Sequence, residues 1–368
     1  MEVAHEGVMN YPKVAVQILL YNESTEEIDR LFTSLANVDY PNDRWLLAIV
    51  NNVHPSHAIE SYMRDRWLKE SGQTLPQIRF FRQEPNNGFA GGHERAYQLS
   101  ADWSPDYIYL LNADAYVEPS FLWRAVQAAE ANERCALVQS RIMLAQEPEL
   151  LNSSGNAMHF LGFGFSLGYK QRIDATQSLP TFYASGAGVL ARVSAVKAIG
   201  GLFAPEYFLY HEDLDLSWRA RLAGYDIFYA QDSVIYHRYE FSRSIQKFYW
   251  MERNRHLTNL INYKIGTLLL IAPAAFVMEL GTLWFARKSG WGMTKLKTWL
   301  YFLKPSTWIF ILRRRAMVKQ IRVVADRDLL THMVGVIENQ EVENALLTRV
   351  VNPILSVYFF LLKLVVRW

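Results

Sequence analysis

Glu212, Asp213 and Asp215 place three carboxylates within four consecutive positions. A carboxylate that faces a cleft can serve as a general base. The same acids suit the first turn of a helix, where the dipole favours negative charge. Leu216, Ala220 and Ala223 recur at helical spacing, and Gly224 stands at the expected stop. Asp215 and Arg219 form an i,i+4 pair, which reads Asp215 as a structural helix residue. This stretch alone admits either a well-capped helix or a helix that presents a base, and the choice rests on the rest of the chain.

Four short stretches in the first half read as strands: Val14 to Leu20, an apolar run that reads as buried, then Trp45 to Val50, Ile78 to Arg82 and Tyr107 to Leu111. Helical stretches separate them. The first runs from Glu26 to about Ala36, capped by Ser24 or Thr25, with Ile28, Leu31, Phe32 and Leu35 as its apolar stripe. The second runs from Ser56 to Lys69, and the third lies near His93 to Leu99. This alternation predicts an α/β fold with a largely parallel sheet. Ligands of such sheets sit beyond the carboxyl ends of the strands. Four polar tips fall there: Asn22-Glu23, Asn51-Asn52, Asn86 to Gly92, and Asn112 to Asp114. Each alone is an ordinary turn; converging on one edge, they mark a site. Gly88, Gly91 and Gly92 do not spell the dinucleotide-binding pattern. They either bring backbone N–H groups near a diphosphate or allow tight turning. Asp114 ends a strongly apolar strand, where a hard cation could bridge it to phosphate oxygens.

Three blocks then carry a resemblance. They are Asn86-Asn87-Gly88-Phe89-Ala90-Gly91-Gly92, Leu110-Leu111-Asn112-Ala113-Asp114, and a longer one. The last runs from Ala184-Ser185-Gly186-Ala187-Gly188 through Gly200-Gly201-Leu202-Phe203 to Phe208-Leu209-Tyr210-His211-Glu212-Asp213-Leu214-Asp215-Leu216. In this order they resemble the family 2 glycosyltransferases of GT-A fold, a Rossmann-like architecture, and most closely the branch that includes bacterial rhamnosyltransferases. The likeness covers roughly Val14 to Leu260.

The resemblance implies an inverting single displacement. Asp213 would be the base, and Glu212 would contact the acceptor or orient the loop. Asp114 would ligate Mg²⁺ or Mn²⁺ on a UDP- or dTDP-linked sugar, and His237 would touch metal or phosphate or be a structural histidine. Tyr21, Asn22, Glu23, Asn51, Asn112 and the glycines 88, 91 and 92 would line the donor pocket. Gly186 would belong either to a small-residue floor under the donor sugar or to a strand-entry turn. Asn51 and Asn112 stand where the family has acids, and His93 and Ala96 where it has Asn and Gly. No Q-x-x-R-W occurs, which by analogy favours transfer of one sugar or a short chain. His211 is read as a cap, and Trp218, Tyr225 and Tyr229 as core. Arg253, Asn254, Arg255 and His256 either meet diphosphate or form a solvated helix face.

The chain has 368 residues, a net charge of +2 and one cysteine, Cys135, so no internal disulfide can form. Met1 to Tyr11 lacks an apolar leader core, which predicts a cytosolic catalytic part. The expected division is a tail at 1–13, a catalytic domain at 14–262 and a helical, membrane-associating region at 263–368. Ile265 to Ala286 is almost wholly apolar, broken by Pro273 and charged only at Glu279. Arg287 to Arg322 carries ten Lys or Arg, no Asp or Glu, and several interspersed aromatics. That pattern suits an anionic membrane surface and disfavours nucleic acid. Basic flanks and a cytosolic site cannot lie on opposite sides of one span, which predicts in-plane or re-entrant helices on the cytoplasmic face of the inner membrane. A helical subdomain or homo-oligomer interface is the competing reading. Pro353 to Val366 reads as apolar but too short to span. A membrane-facing site points to a polyprenyl-diphosphate-linked or oligosaccharide acceptor in surface-glycan assembly. A nucleotidyltransferase and a non-catalytic sugar-nucleotide or glycan-binding scaffold remain as rival functions.

Overall fold

A computed structural model describes residues 11–53, 55–56, 58–172, 181–239, 248–338 and 345–368. The leader reading falls almost entirely on residues 1–10, outside the described residues. The apolar runs fold as expected. In chain order the first half is β1 (Val14–Leu20), α1 (Thr25–Leu35), β2 (Trp45–Asn51), α2 (Ala58–Arg66), β3 (Gln77–Arg82), α3 (Gly88–Ser100) and β4 (Tyr107–Asn112). Ser24 caps α1 in a capping box with Glu27, and Ile28, Leu31, Phe32 and Leu35 are its buried face. β1 pairs in parallel with β2 and β4, and β2 with β3. Their register sets Leu20 beside Asn51, Asn51 beside Arg82 and Leu19 beside Asn112. The polar tips thereby gather at one edge.

The second half inserts into the same sheet. β5 (Ala115–Val117), α4 (Phe121–Glu130), β6 (Cys135–Leu144) and β7 (Glu147–Ser153) precede a small hairpin of β8 (Asn156–Met158) and β9 (Gly164–Ser166). β10 (Gly188–Arg192), α5 (Val193–Ala198), α6 (Glu212–Leu222) and β11 (Asp226–His237) follow. The strand order is β3-β2-β1-β4-β10-β6-β11-β5, with β7 on β6. β10 runs antiparallel between β4 and β6, whereas β11 runs parallel to β6. The result is a mostly parallel sheet with reversed strands in its second half.

The remaining chain is helical: α7 (Phe248–Asn262), α8 (Ile265–Lys288), α9 (Gly292–Tyr301), α10 (Pro305–Ile321), α11 (Asp326–Leu330) and α12 (Asn352–Val365). α7 packs against α6, α9 and α10, which ties this layer to the sheet domain. Three expectations change here. α8 is continuous through Pro273 rather than broken there; proline removes one i→i−4 bond, and the neighbouring turns carry the helix across. The last apolar segment is longer than expected, because a π-helical turn at Leu347–Val351 extends it to Leu347–Val365, a length that could span. Several of the basic residues at 287–322 turn inward: Lys295 is fully buried, and Arg314 and Arg322 pair with buried Asp215 and Asp326.

Candidate active site

At the carboxyl edge of the sheet lies an open cleft of about 490 Å³. Tyr21, Asn22, Glu23, Asn52, Gly88, Phe89, His93, Asn112, Asp114, Gly186, Glu212, Asp213 and His237 line it. Asp114 and Asp213, nearly a hundred residues apart, therefore share one cavity.

Each wall follows from local folding. β1 ends at Leu20, and beyond it Glu23 folds back so that Oε2 accepts from the Tyr21 N–H at 2.7 Å and the Asn22 N–H at 3.2 Å. Burial pushes the Glu23 carboxyl up to about 7; those two bonds oppose the rise, and the neighbouring Asp114 charge adds to it. Three expected donor contacts are absent from the lining. Asn51 is buried as the last residue of β2, and its neighbour Asn52 reaches the cleft instead. Asn52 accepts from the Asn87 N–H and donates to the Gly88 carbonyl, fastening the glycine block to β2. Gly91 and Gly92 lie inside α3, which begins at Gly88 rather than near His93. A Cβ at Gly91 would meet Asn87, and one at Gly92 would meet Leu19, so these glycines permit close packing behind the wall. Gly88 does border the cleft; its φ of +72° and a Cβ position 2.1 Å from the Phe208 carbonyl oxygen exclude any side chain.

On the opposite wall, β11 ends at His237 beside Ala115 of β5. His237 Nε2 lies 3.3 Å from Asp114 Oδ1 and 3.0 Å from Asn112 Nδ2, and Nδ1 is 3.2 Å from Asn152 Oδ1. With Nδ1–H donating to Asn152, Nε2 is the unprotonated nitrogen, accepts from the Asn112 amide and lies beside Asp114, the tautomer a metal ligand requires. An imidazole nitrogen and a carboxylate oxygen converging at this distance fit Mn²⁺ or Mg²⁺. Asn152, Arg238 and Tyr239 also line this wall, and sequence reading missed all three. For Arg238, which pairs with Glu27 at 2.6 Å, the signal was its place directly after His237.

The floor comes from the segment before β10 and the first turn of α6. Gly186 N–H donates to Asp213 Oδ2 at 3.0 Å, and Leu214 N–H to Oδ1 at 2.7 Å. Burial raises the Asp213 carboxyl above its usual range, and these bonds restrain the rise. Burial, and then the Asp213 charge, hold the Glu212 carboxyl well above the ordinary value. Glu212 Oε2 is buried with no hydrogen-bond partner among the described residues. Asp215 points away into the core, bonded to Arg219, Arg314 and Asn262, in agreement with its structural reading. His211 occupies the N-cap position in a left-handed conformation, but its side chain makes no capping bond. Trp218 is core, whereas Tyr225 and Tyr229 are only half-buried. The Arg253 to His256 segment is neither phosphate-lining nor a solvated face: Arg253, Asn254 and Arg255 are buried among protein partners.

A family model described as "Glycosyltransferase like family 2" matches residues 12–259. The chain belongs to glycosyltransferase family 2. Among curated family members, glucomannan 4-beta-mannosyltransferase 7 of Arabidopsis thaliana is 30% identical over 233 residues, 61% of this chain and 39% of that protein. Glucomannan 4-beta-mannosyltransferase 1 of Oryza sativa subsp. japonica is 26% identical over 232 residues, 61% of this chain and 42% of that protein. The chain thus spans about two fifths of the length of these curated relatives. Its fold matches the mannosyltransferase PcManGT of Pyrobaculum calidifontis, solved with GDP-Man and Mn²⁺ (TM-score 0.52, 15% identity, 85% of this chain and 86% of that one). It also matches GalNAc-T7, solved with UDP, GalNAc and Mn²⁺ (TM-score 0.53, 12% identity, 69% and 48%). The architecture is the GT-A fold. These two curated relatives are mannosyltransferases, so the family is established more broadly than the rhamnosyltransferase branch that the motifs resemble.

Proposed function

We propose that this chain is an inverting, metal-dependent glycosyltransferase. It moves one hexose from a nucleoside-diphosphate sugar to a hydroxyl of a glycan or lipid-linked acceptor in cell-surface polysaccharide synthesis. The observation that carries this reading is the sharing of one cleft by Asp213 and the Asp114–His237 pair. Asp213 takes the proton from the acceptor hydroxyl. That oxygen bonds to the anomeric carbon as the bond to phosphate breaks, and the electron pair leaves on the diphosphate. Asp114 and His237 would hold a divalent cation, which neutralises charge on the leaving group. Glu212, whose buried Oε2 has no partner among the described residues, contacts the acceptor or orients the loop beside the base.

The mannosyl relatives make GDP-mannose the first donor to test, and the motif likeness makes dTDP-rhamnose the second, with UDP-glucose as a control. A thermal-shift panel of these donors, with and without Mn²⁺, should find one that raises the melting temperature only with metal. Slow metal-dependent release of nucleotide from that donor should follow. Stabilisation without release supports a scaffold; no response to any nucleotide sugar overturns donor binding altogether.

The helical region at 263–368 sits on a membrane in this reading, as a part distinct from the catalytic domain at 14–262. Among the described residues, every exposed large hydrophobic side chain except Tyr21 falls at or after Ile265. Trp284, Trp299, Trp308 and Trp368 are exposed together with Lys288, Lys297, Lys304, Arg313 and Lys319. Apolar side chains with interfacial tryptophans and exposed cations match an anionic bilayer surface, here the cytoplasmic face where nucleotide sugars are made available.

A further inference from the structure

The segment that delivers Glu212 and Asp213 to the cleft is strained. The Leu209 N–H donates to the Tyr207 carbonyl at 2.6 Å, closing a three-residue turn about Phe208, whose φ and ψ are 61° and −60°. That is the rare and strained form of such a turn. Tyr210 and His211 follow, both with φ of 67°. Left-handed backbone is costly for residues with a Cβ, and three such residues in four positions do not persist unless the surroundings hold them.

The holding groups come from α7. Asn254 is fully buried, and the two N–H groups of its Nδ2 are shared among the carbonyls of Tyr207, Leu209 and Tyr210 at 2.8, 2.9 and 2.7 Å. Arg253 fixes the direction of that amide. Its guanidinium donates to Asn254 Oδ1 from Nε at 2.8 Å and from an Nη at 2.6 Å, which turns Nδ2 toward the loop. The same Nη donates to the Tyr207 carbonyl at 2.9 Å. Trp250, one turn earlier, stacks on Phe208 with ring centroids 4.4 Å apart. The base of the grip is itself anchored, because Glu252 on α7 is bound by Arg255 and by buried Lys295 of α9.

We propose that Asn254, oriented by Arg253, is a positioning residue that clamps residues 207–211 in their left-handed path and thereby aims Asp213 into the cleft. Neither side chain lines the cleft. The proposal deepens the transferase reading and rests on Asp213 as the base.

The experiment uses the full chain. Amide hydrogen exchange over residues 205–214 is measured without ligand in wild type, Asn254→Ala and Asp213→Asn, beside nucleotide release from GDP-mannose with Mn²⁺. In Asn254→Ala, exchange of this segment should rise at least about tenfold. The kcat should fall on the order of 10- to 100-fold, with a smaller change in donor KM, because misplacing a reacting group by about 1 Å costs about that much. Adding His211→Gly to Asn254→Ala should recover part of the kcat, since glycine takes this conformation without a Cβ penalty; loss of packing alone would not be recovered this way. Should Asn254→Ala not fold, Asn254→Ser keeps one donor and carries the same measurements with smaller changes. Wild-type exchange and turnover in these variants overturn the clamp, whatever Asp213 does. A loosened segment in Asn254→Ala beside full turnover by Asp213→Asn leaves the clamp and overturns the base.

Discussion

Gly186 donates its backbone N–H to the Asp213 carboxylate at 3.0 Å, joining the turn before β10 to the first turn of α6. Asp213 is thus fixed from both sides, since Leu214 N–H holds its other oxygen. An isosteric Asp213→Asn change keeps that volume but cannot accept a proton. It should lower kcat by roughly 10²- to 10⁴-fold, the usual worth of a general base, and leave donor affinity within about twofold. Steady-state kinetics with separate donor-binding measurements check this, and near-normal turnover removes Asp213 from the role.

The carboxyls of Glu212 and Asp213 are both raised by burial, so the reaction should carry an acid limb above the ordinary carboxylate range. The base works ionised, so kcat falls as pH drops through that raised value. Stability moves the opposite way. A carboxyl raised in the folded state adds stability below its unfolded pKa of about 4.3, and that contribution is lost as pH rises through the folded value. Glu212→Gln should therefore melt higher than wild type at pH 8, with the gap closing toward pH 4. Parallel melts across pH test the sign.

His237 is oriented by Asn152 on one nitrogen and faces Asp114 with the other. Saturating Mn²⁺ should raise the melting temperature, by about 2.7 kcal/mol of added stability at a hundredfold excess over Kd. Asp114→Ala should erase the shift. Asn152→Leu should weaken Mn²⁺ affinity about 10- to 100-fold, as loss of a ligand's orienting partner does. Titration calorimetry with Mn²⁺ separates these effects from turnover.

How much was legible depended on range. β1, β2 and β4 were readable because a buried parallel strand is a continuous apolar run, and the stripe of α1 because it repeats at helical spacing. The helix at α3 began earlier than its glycines suggested, because Asn52 binds the Gly88 carbonyl and the Phe208 carbonyl accepts from the Ala90 N–H, both from outside the segment. Asn152 carried no local signal at all; it matters only because β7 folds beside β6 and faces His237. Arg253 to His256 read as a surface or a phosphate contact since four polar residues in a row suggest water. Their partners, the strained carbonyls at 207–210 and Glu279, lie far along the chain. Long-range satisfaction of buried polar groups is what a single sequence hides.

The exposed apolar side chains of α8, α9, α10 and α12 predict binding to bilayers. The intact chain should float with liposomes containing anionic lipid, bind zwitterionic ones less, and need detergent for full release, with salt freeing only part. Replacing exposed Phe276 and Trp284 together by Ser should lower flotation without a large change in the melting temperature, because neither side chain is in the core. A soluble, monodisperse oligomer that ignores liposomes would assign this face to subunit contacts instead.

Asp215 offers a stability test free of the reaction. Its carboxylate is buried and accepts from Arg219 at 2.8 Å, Arg314 at 3.2 Å and Asn262 at 3.0 Å. Burial pushes this carboxyl up, but Arg219 and Arg314 outweigh it and hold it below its ordinary value. A depressed folded pKa contributes stability above the unfolded value of about 3.9 and loses it as pH falls through the folded value. Asp215→Ala leaves the Arg219 charge buried, hydrogen-bonded to the carbonyls of Ile199, Gly201 and Leu202 but without its carboxylate partner. At neutral pH it should cost about 3–5 kcal/mol, the usual penalty for breaking a buried pair. The deficit should narrow as pH is lowered below about 4, where wild type loses the same interaction. Denaturant titrations of both proteins at pH 7 and at pH 3 read the difference directly; an equal deficit at both would mean that Asp215 acts through packing rather than charge.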